Sequence, residues 1–375
     1  MSMQLIAWSI PVFVALIVLE YALARRARRD LYRLSVSVSD VGCGVVQQLF
    51  GVLTTAAFVA LYFFVYEARL FDFDPRAAST WLLAMLAVDF IYYWWHRASH
   101  EVGILWATHV VHHHSEDYNL AVALRQGIFT AGPLIVFGLP LALLGVPPLV
   151  YLTCKALNSL YQFWIHTELI GGLGPAEAVL NTPQHHRVHH AVNPRYLDKN
   201  YGGISIVWDR LFGTFARVDE APVYGTTRRL QSLNPLWAQF EHFVELARRA
   251  AAERGFFKKV RELVAHPGWT PRGPSAPLSE AELAARAAGR FHAPVSSAMA
   301  VYVLLQAVGI VAASMAVLIA AGTWPAWLAA LACATVIAGA VALAGLVERR
   351  RWAVPLEVGR LATTLAVAGL VLARA

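Results

Sequence analysis

Apolar and polar positions alternate along this chain in long blocks, not at the short periods of a soluble domain. Residues 5–24, 41–65 and 77–95 are the first three apolar runs, each near the roughly 20 residues a helix needs to cross a bilayer. Residues 128–144 and 149–165 follow as a pair separated by Gly145-Val146-Pro147-Pro148, a breaker that predicts a tight reversal. After a polar stretch the pattern resumes at 296–321, 324–347 and 352–373, the last run carrying Glu357 and Arg360. The pattern predicts an all-α integral membrane protein of about eight transmembrane helices.

Composition agrees. Hydrophobic residues make up 58% of the 375, charged residues 15%, and mean hydropathy is +0.51, far from the usage of an ordinary soluble domain. Ala22-Leu23-Ala24 imitates a signal-cleavage site, but no basic segment precedes the first run, so an anchor is expected. The net charge of +7 belongs to clusters such as Arg25, Arg26, Arg28 and Arg29, and Arg349 to Arg351, which suit anionic headgroups. No nucleic-acid motif is present. Short loops rich in arginine stay in the cytoplasm, and placing both clusters there puts every histidine set there too. Cys43, Cys154 and Cys333 fall in separate runs, which predicts packing roles and no disulfide.

The histidines change the picture most. Ten of the fourteen fall in three close sets: His96 and His100; His109, His112, His113 and His114; His185, His186, His189 and His190. Positions three and four apart share one helix face, so each set can aim its imidazoles at one point. Eight or more are too many for one zinc, which takes four ligands, and two metal ions are the simpler account. Asp89, Tyr93, His96 and His100 follow one another along one face. An acid in a span is usually functional, and Asp89 is expected to accept a proton from the far nitrogen of a ligating histidine. Lys155, Ser159, Gln162 and His166 form a polar stripe that ends the fifth run. His114 and His185 are left open as ligands. His242, His266 and His292 are isolated in the polar connector and read as surface residues.

The order HRASH, HVVHHH, HHRVHH resembles the fatty acid hydroxylase and sterol desaturase superfamily of membrane di-iron oxygenases, whose pattern is HxxxH, HxxHH, HxxHH. The text HHHSEDYNLAVALRQG from His112, YQFWIHTELIGGLGP from Tyr161, and NTPQHHRVHHAVNPRYLDKNYGGISIVWDRLFGTF from Asn181 is similar to the alkylglycerol monooxygenase branch, with a likeness running from about Ala77 to Arg248. Two departures are His114, where serine is expected, and Ala121-Val122-Ala123. The resemblance implies two irons held by His96, His100, His109, His112, His113, His166, His186, His189 and His190, with Glu101 as a branch-matching residue. Asn200 is a candidate holder of a metal-bound water and Asp209 a candidate orienter of a ligating histidine; both also read as turn and packing residues.

On that basis residues 1–76 form an N-terminal transmembrane hairpin, 77–240 the catalytic domain, 241–295 a cytoplasmic or interfacial connector, and 296–375 a C-terminal transmembrane bundle. The expected chemistry is O2-dependent hydroxylation of a lipid chain, with ether-lipid cleavage leading and sterol, carotenoid or acyl-lipid hydroxylation or desaturation next. No GxGxxG, CxxCH or cysteine cluster is present, so an external donor is required: tetrahydrobiopterin, or a ferredoxin or cytochrome. The arginine-rich usage points to a bacterial inner membrane. A zinc-dependent membrane hydrolase is the alternative from another class. A transporter is disfavoured because the histidines gather at one face instead of along a midplane path.

Overall fold

The computed structural model describes residues 2–270 and 273–374, with side chains from Trp8 onward; Met1, Pro271, Arg272 and Ala375 lie outside the described residues. The chain order is α1 (Ser2–Arg26), α2 (Leu34–Tyr66), α3 (Ala78–Glu101), α4 (Gly103–His113), α5 (Ala131–Leu144), α6 (Pro148–Trp164), α7 (Pro183–His189), α8 (Val207–Leu211), α9 (Pro235–Ala252), α10 (Phe256–Val264), α11 (Glu280–Ala288), α12 (Ser297–Ala320), α13 (Ala326–Val347) and α14 (Ala353–Leu372). The sole described sheet is a two-residue hairpin, Trp269–Thr270 against Gly273–Pro274. The connector residues Pro271 and Arg272 at its tip are outside the described residues.

All eight apolar runs are helical, but five are long and apolar enough to cross a membrane: Trp8–Arg26, Leu34–Tyr66, Ser297–Thr323, Ala326–Val347 and Ala353–Leu372. The others differ for identifiable reasons. α5 has 14 residues and α6 has 17, so at 1.5 Å per residue they reach about 21 and 26 Å against a core of about 30 Å. α3 has 24 residues, but its last turns carry the charged and histidine-rich HRASHE. The reversal between α5 and α6 falls where the breaker predicts. Gly145 ends α5 at φ +103°, and a Cβ there would collide with the Phe71 carbonyl. The turn is tied to the α2–α3 connection by Leu70 N–H donating to Leu143 (2.8 Å) and to the end of α2 by Tyr62 Oη donating to Val146 (3.0 Å).

Helix α2 packs on two sides. Its Val45 and Leu49 join Ile310, Val317, Cys333 and Leu343 of α12 and α13. Tyr62 joins Ala84, Val88, Ile135, Tyr151 and Cys154 of α3, α5 and α6, stacking on Tyr151 at 4.3 Å between ring centroids. α1 leans on α6 and α12, and Phe13 stacks on Phe163 at 4.0 Å. The three cysteines are free and buried, as their separate runs predict. Large apolar side chains remain exposed on the helices, among them Leu82 at 73% and Leu365 at 76%, the reverse of a soluble surface and what lipid contact requires. The protein is an integral membrane protein.

Candidate metal centre

The histidine sets arrive on three short helical pieces. The last turns of α3 bring His96 and His100, α4 brings His109, His112 and His113, and α7 brings His186 and His189 with His190 capping its end, while His166 lies two residues past α6. α7 starts with Pro183 at its first position, where the missing N–H costs nothing and φ is already helical.

Nine imidazoles converge into two groups. One nitrogen from each of His96, His100, His109, His113 and His189 lies within 4.8 Å of the others, and so does one from each of His112, His166, His186 and His190. All nine are buried. In the first group His109 Nε2 lies 3.0 Å from His96 Nε2 and 3.2 Å from His113 Nε2. In the second, His166 Nε2 lies 3.1 Å from His112 Nε2 and 3.0 Å from His186 Nε2, which lies 3.2 Å from His190 Nε2. Two nitrogens bound to one ion at about 2.1 Å and at a right angle would sit about 3.0 Å apart.

Protonation decides what these contacts are. His112 Nδ1 lies 2.9 Å from the Arg125 carbonyl and His166 Nδ1 lies 2.7 Å from the Gln162 carbonyl. A carbonyl only accepts, so in both rings Nδ1 carries the hydrogen. Burial, helped by neighbouring imidazoles and Arg125, lowers His112 to about 4 and drives His166 well below its ordinary range, so both rings are neutral and both Nε2 atoms are bare lone pairs. Their 3.1 Å contact is no hydrogen bond. Two lone pairs face one another in a buried site, an arrangement that needs a cation between them. His96 and His189 have the same tautomer, donating from Nδ1 to the carbonyls of Tyr201 (2.8 Å) and Lys199 (3.0 Å), and His189 Nε2 and His100 Nε2 are buried without a partner. The donor set fits metal ions.

The residues around the ligands depart from expectation. Asp89 touches no histidine: its carboxylate accepts from Asn158 Nδ2 (2.8 Å), the Ile204 N–H (2.8 Å), the Ser205 N–H (3.1 Å) and Trp208 Nε1 (2.9 Å). It clamps the 204–208 segment, and the acceptor expected for His96 is the Tyr201 carbonyl. Asp209 acts one link away, accepting from the Tyr201 and Gly202 N–H groups (2.7 and 2.8 Å) and Thr214 Oγ1 (2.7 Å), which aims the Tyr201 carbonyl at His96. Asn200, at φ +57°, uses its side chain to bridge His185 O, Ala216 O and Ala216 N; it is a loop latch. Glu101 pairs with Arg97 at 2.8 Å. His114 and His185 are buried but offer nothing to either group.

His242 is half-buried, not a surface residue, and burial lowers it to about 4. His266 is exposed and donates toward Asp198 at 3.0 Å, which lies 3.8 Å from His100 Nδ1. Asp40 and Arg125 were not foreseen. Their buried pair (3.0 Å) stands behind His112, with Ser39, Ser115 and the Val111 carbonyl completing it. An acid directly before the second apolar run was the available signal.

Asp89→Asn tests the clamp. The amide keeps one acceptor oxygen and turns an NH2 toward N–H donors, so a loss of about 1–3 kcal/mol is expected. Thermal unfolding reads it, and an unchanged midpoint would mean that Asp89 does not hold the segment.

Residues 81–214 match the family described as fatty acid hydroxylase. Human alkylglycerol monooxygenase is 42% identical over 272 residues, 72% of this chain and 61% of that one, and the Danio rerio protein of the same name is 41% identical over 266 residues, 70% and 59%. Ornithine lipid hydroxylase of Rhizobium tropici is 30% identical over 138 residues, 36% of this chain and 41% of that one. The chain spans about three fifths of the length of the alkylglycerol monooxygenases it matches. No solved structure matches. Residues 81–214, which hold both histidine groups, are a fatty acid hydroxylase family domain within this chain.

Proposed function

We propose that this chain is a membrane monooxygenase that hydroxylates a lipid chain at a two-iron centre. The carrying observation is the pair of facing lone pairs on His112 and His166 within a set of nine buried imidazoles. Five nitrogens and four nitrogens provide for two ions; a single zinc uses four ligands at most, and imidazole suits iron. Iron, when bound there, supplies the activation of O2 needed to attack an unactivated C–H bond. The balance is a C–H bond, O2, two electrons and two protons in, and a C–OH bond and water out.

The chain's own residues hold the site. Tyr201, Lys199, Arg125 and Gln162 present carbonyls that fix four imidazoles with Nε2 inward, and burial keeps those four rings neutral. An alkyl ether lipid is the leading substrate, because hydroxylation beside the ether oxygen gives a hemiacetal that collapses to aldehyde and alcohol. Sterol, carotenoid or acyl-lipid oxidation is the second reading. The electrons come from outside the chain, the sequence pointing to tetrahydrobiopterin or to a ferredoxin or cytochrome.

The centre is placed on the cytoplasmic side, in a bacterial inner membrane. Arg29 of the first basic cluster pairs with Glu168 beside His166 (2.6 Å), so the cluster shares the face of the histidines. α3, α5 and α6 are read as crossing with the five longer helices, giving eight, since the α5–α6 turn meets the α2–α3 connection. Incubation of membranes carrying the protein with an alkylglycerol, O2 and a reductant is expected to release fatty aldehyde. A hydroxylated acyl lipid without aldehyde transfers the claim to the second reading, and turnover without O2 rejects both.

A further inference from the structure

Helix α10 is built inside out. Its sequence FFKKVRELV puts Phe256, Phe257, Val260 and Val264 along one side and Glu262 on the opposite side. On a soluble surface the apolar side of such a helix would turn to the protein. Here the acid turns inward: Glu262 is 2% exposed and pairs with Arg249 of α9 at 2.7 Å. Phe256 and Phe257 point away from the protein, 72% and 85% exposed, and Val264 is exposed along the same side. Arg254, Lys258 and Lys259 stand beside the two rings, all exposed, and among the described residues no carboxylate pairs with any of them.

The neighbours of α10 set its level. α3 has 24 residues, about 36 Å, and as a crossing helix it leaves a core of about 30 Å just before the α3–α4 elbow at 102–103. α10 ends against that elbow. The Gly103 N–H donates to the Ala265 carbonyl at 2.9 Å, and a Cβ on Gly103 would stand 3.0 Å from the carbonyls of both Ala265 and Leu263. His266, the next residue, meets Asp198 at 3.0 Å, and Asp198 lies 3.8 Å from His100. α9, on which α10 packs, runs past the start of α5: Gln239 accepts the Ile128 N–H at 2.9 Å, and Phe243 meets Phe129 at 5.1 Å. The α9–α10 pair therefore lies where helices enter the membrane, and the two helices of the elbow carry five of the nine imidazoles.

The geometry points to α10 as an in-plane membrane anchor that docks on anionic lipid and braces the metal-site elbow. Phe256 and Phe257 enter the leaflet on the histidine side, while Arg254, Lys258 and Lys259 take the lipid phosphates. The clasp between Ala265 and Gly103 passes that hold to the helices bearing His96, His100, His109, His112 and His113. Phenylalanine on one side with lysine and arginine around it is what holds a helix in the interface plane, and anionic headgroups supply the counter-charge that the protein itself does not. The inference rests on the reading of α3 as a crossing helix and not on the chemistry assigned to the histidines.

The full chain in lipid nanodiscs, with a fluorophore on Phe257→Cys, tests the docking; the three native cysteines are buried. In phosphatidylglycerol discs, lipid spin-labelled near the headgroup end of its chains should quench the fluorophore at least threefold more than a water-soluble spin label does. Phosphatidylcholine discs, or Lys258→Glu with Lys259→Glu, should cut the lipid quenching at least twofold. Quenching from the water alone overturns the anchor, and equal quenching in the two lipids overturns docking on anionic lipid. The same fluorophore on Leu86→Cys, halfway along α3, separates the two readings. If Leu86 is quenched from the lipid and Phe257 only from the water, the anchor alone fails; if Leu86 too is quenched only from the water, the crossing of α3 fails and takes the anchor with it. Hydrogen exchange at the Gly103 amide reads the brace without any label. Phe256→Asp with Phe257→Asp should speed it at least tenfold in phosphatidylglycerol discs, and Phe256→Leu with Phe257→Leu should keep it near the native rate. Exchange untouched by the aspartates overturns the brace.

Discussion

His186→Ala is expected to empty one of the two nitrogen groups and leave the other filled. Its Nε2 lies 3.0 Å from that of His166 and 3.2 Å from that of His190, so its removal leaves three nitrogens with a gap at their centre. Metal analysis should fall from two ions per chain toward one, and lipid oxidation should drop by more than the roughly 10–100-fold that changes outside the ligand set cost. His109→Ala is the counterpart, since His109 joins His96 and His113. The contrast lies with His114→Ala and His185→Ala, equally buried histidines beside the ligands that belong to neither group. These should retain both ions. Loss of metal in all four variants would mean general collapse, and retention in all four would dissolve the two-group assignment.

Arg125→Met is expected to cost about 3–5 kcal/mol, because it leaves the buried Asp40 carboxylate without its cation. Asp40 is 0% exposed and Arg125 3%, and the guanidinium also ties Ser39 and the Val111 carbonyl in place. The Arg125 carbonyl receives the His112 N–H, so the damage should reach metal retention in the His112 group before the other. Pairing the change with Asp40→Leu removes the orphaned charge and should return most of the stability. Thermal unfolding of single and double variants decides it. A double variant no more stable than the single would show that the charge was not the cause.

The histidine centre was legible because its information lies in side-chain identity and spacing. All nine residues named as ligands from three sets and His166 fall in the two groups. What orients them was not legible. The Nδ1 partners are the carbonyls of Tyr201, Lys199, Arg125 and Gln162, and a backbone carbonyl has no residue signature. Asp89 misled for a related reason: helical spacing puts it on the face of His96, but a carboxylate goes where N–H donors are, and the 204–208 segment offers more of them. Apolar runs foretold helices better than crossings. α5 and α6 are continuous in hydropathy but short in length: α5 starts at Ala131, past the beginning of its apolar run at Ile128, and α6 ends at Trp164.

Helix α2 is a party wall. Its upper residues are claimed by α12 and α13, its lower ones by α3, α5 and α6, and Asp40 on its inner end anchors the arginine whose carbonyl steadies His112. Two of its three glycines are spoken for as well: a Cβ on Gly42 would press within 3.3 Å of Pro235, and one on Gly44 would strike the Leu124 carbonyl. A tenant on either side therefore depends on masonry it does not own, and the histidine-bearing half of this protein cannot be transplanted into another scaffold by its histidine motifs alone, because the far bundle comes with the wall.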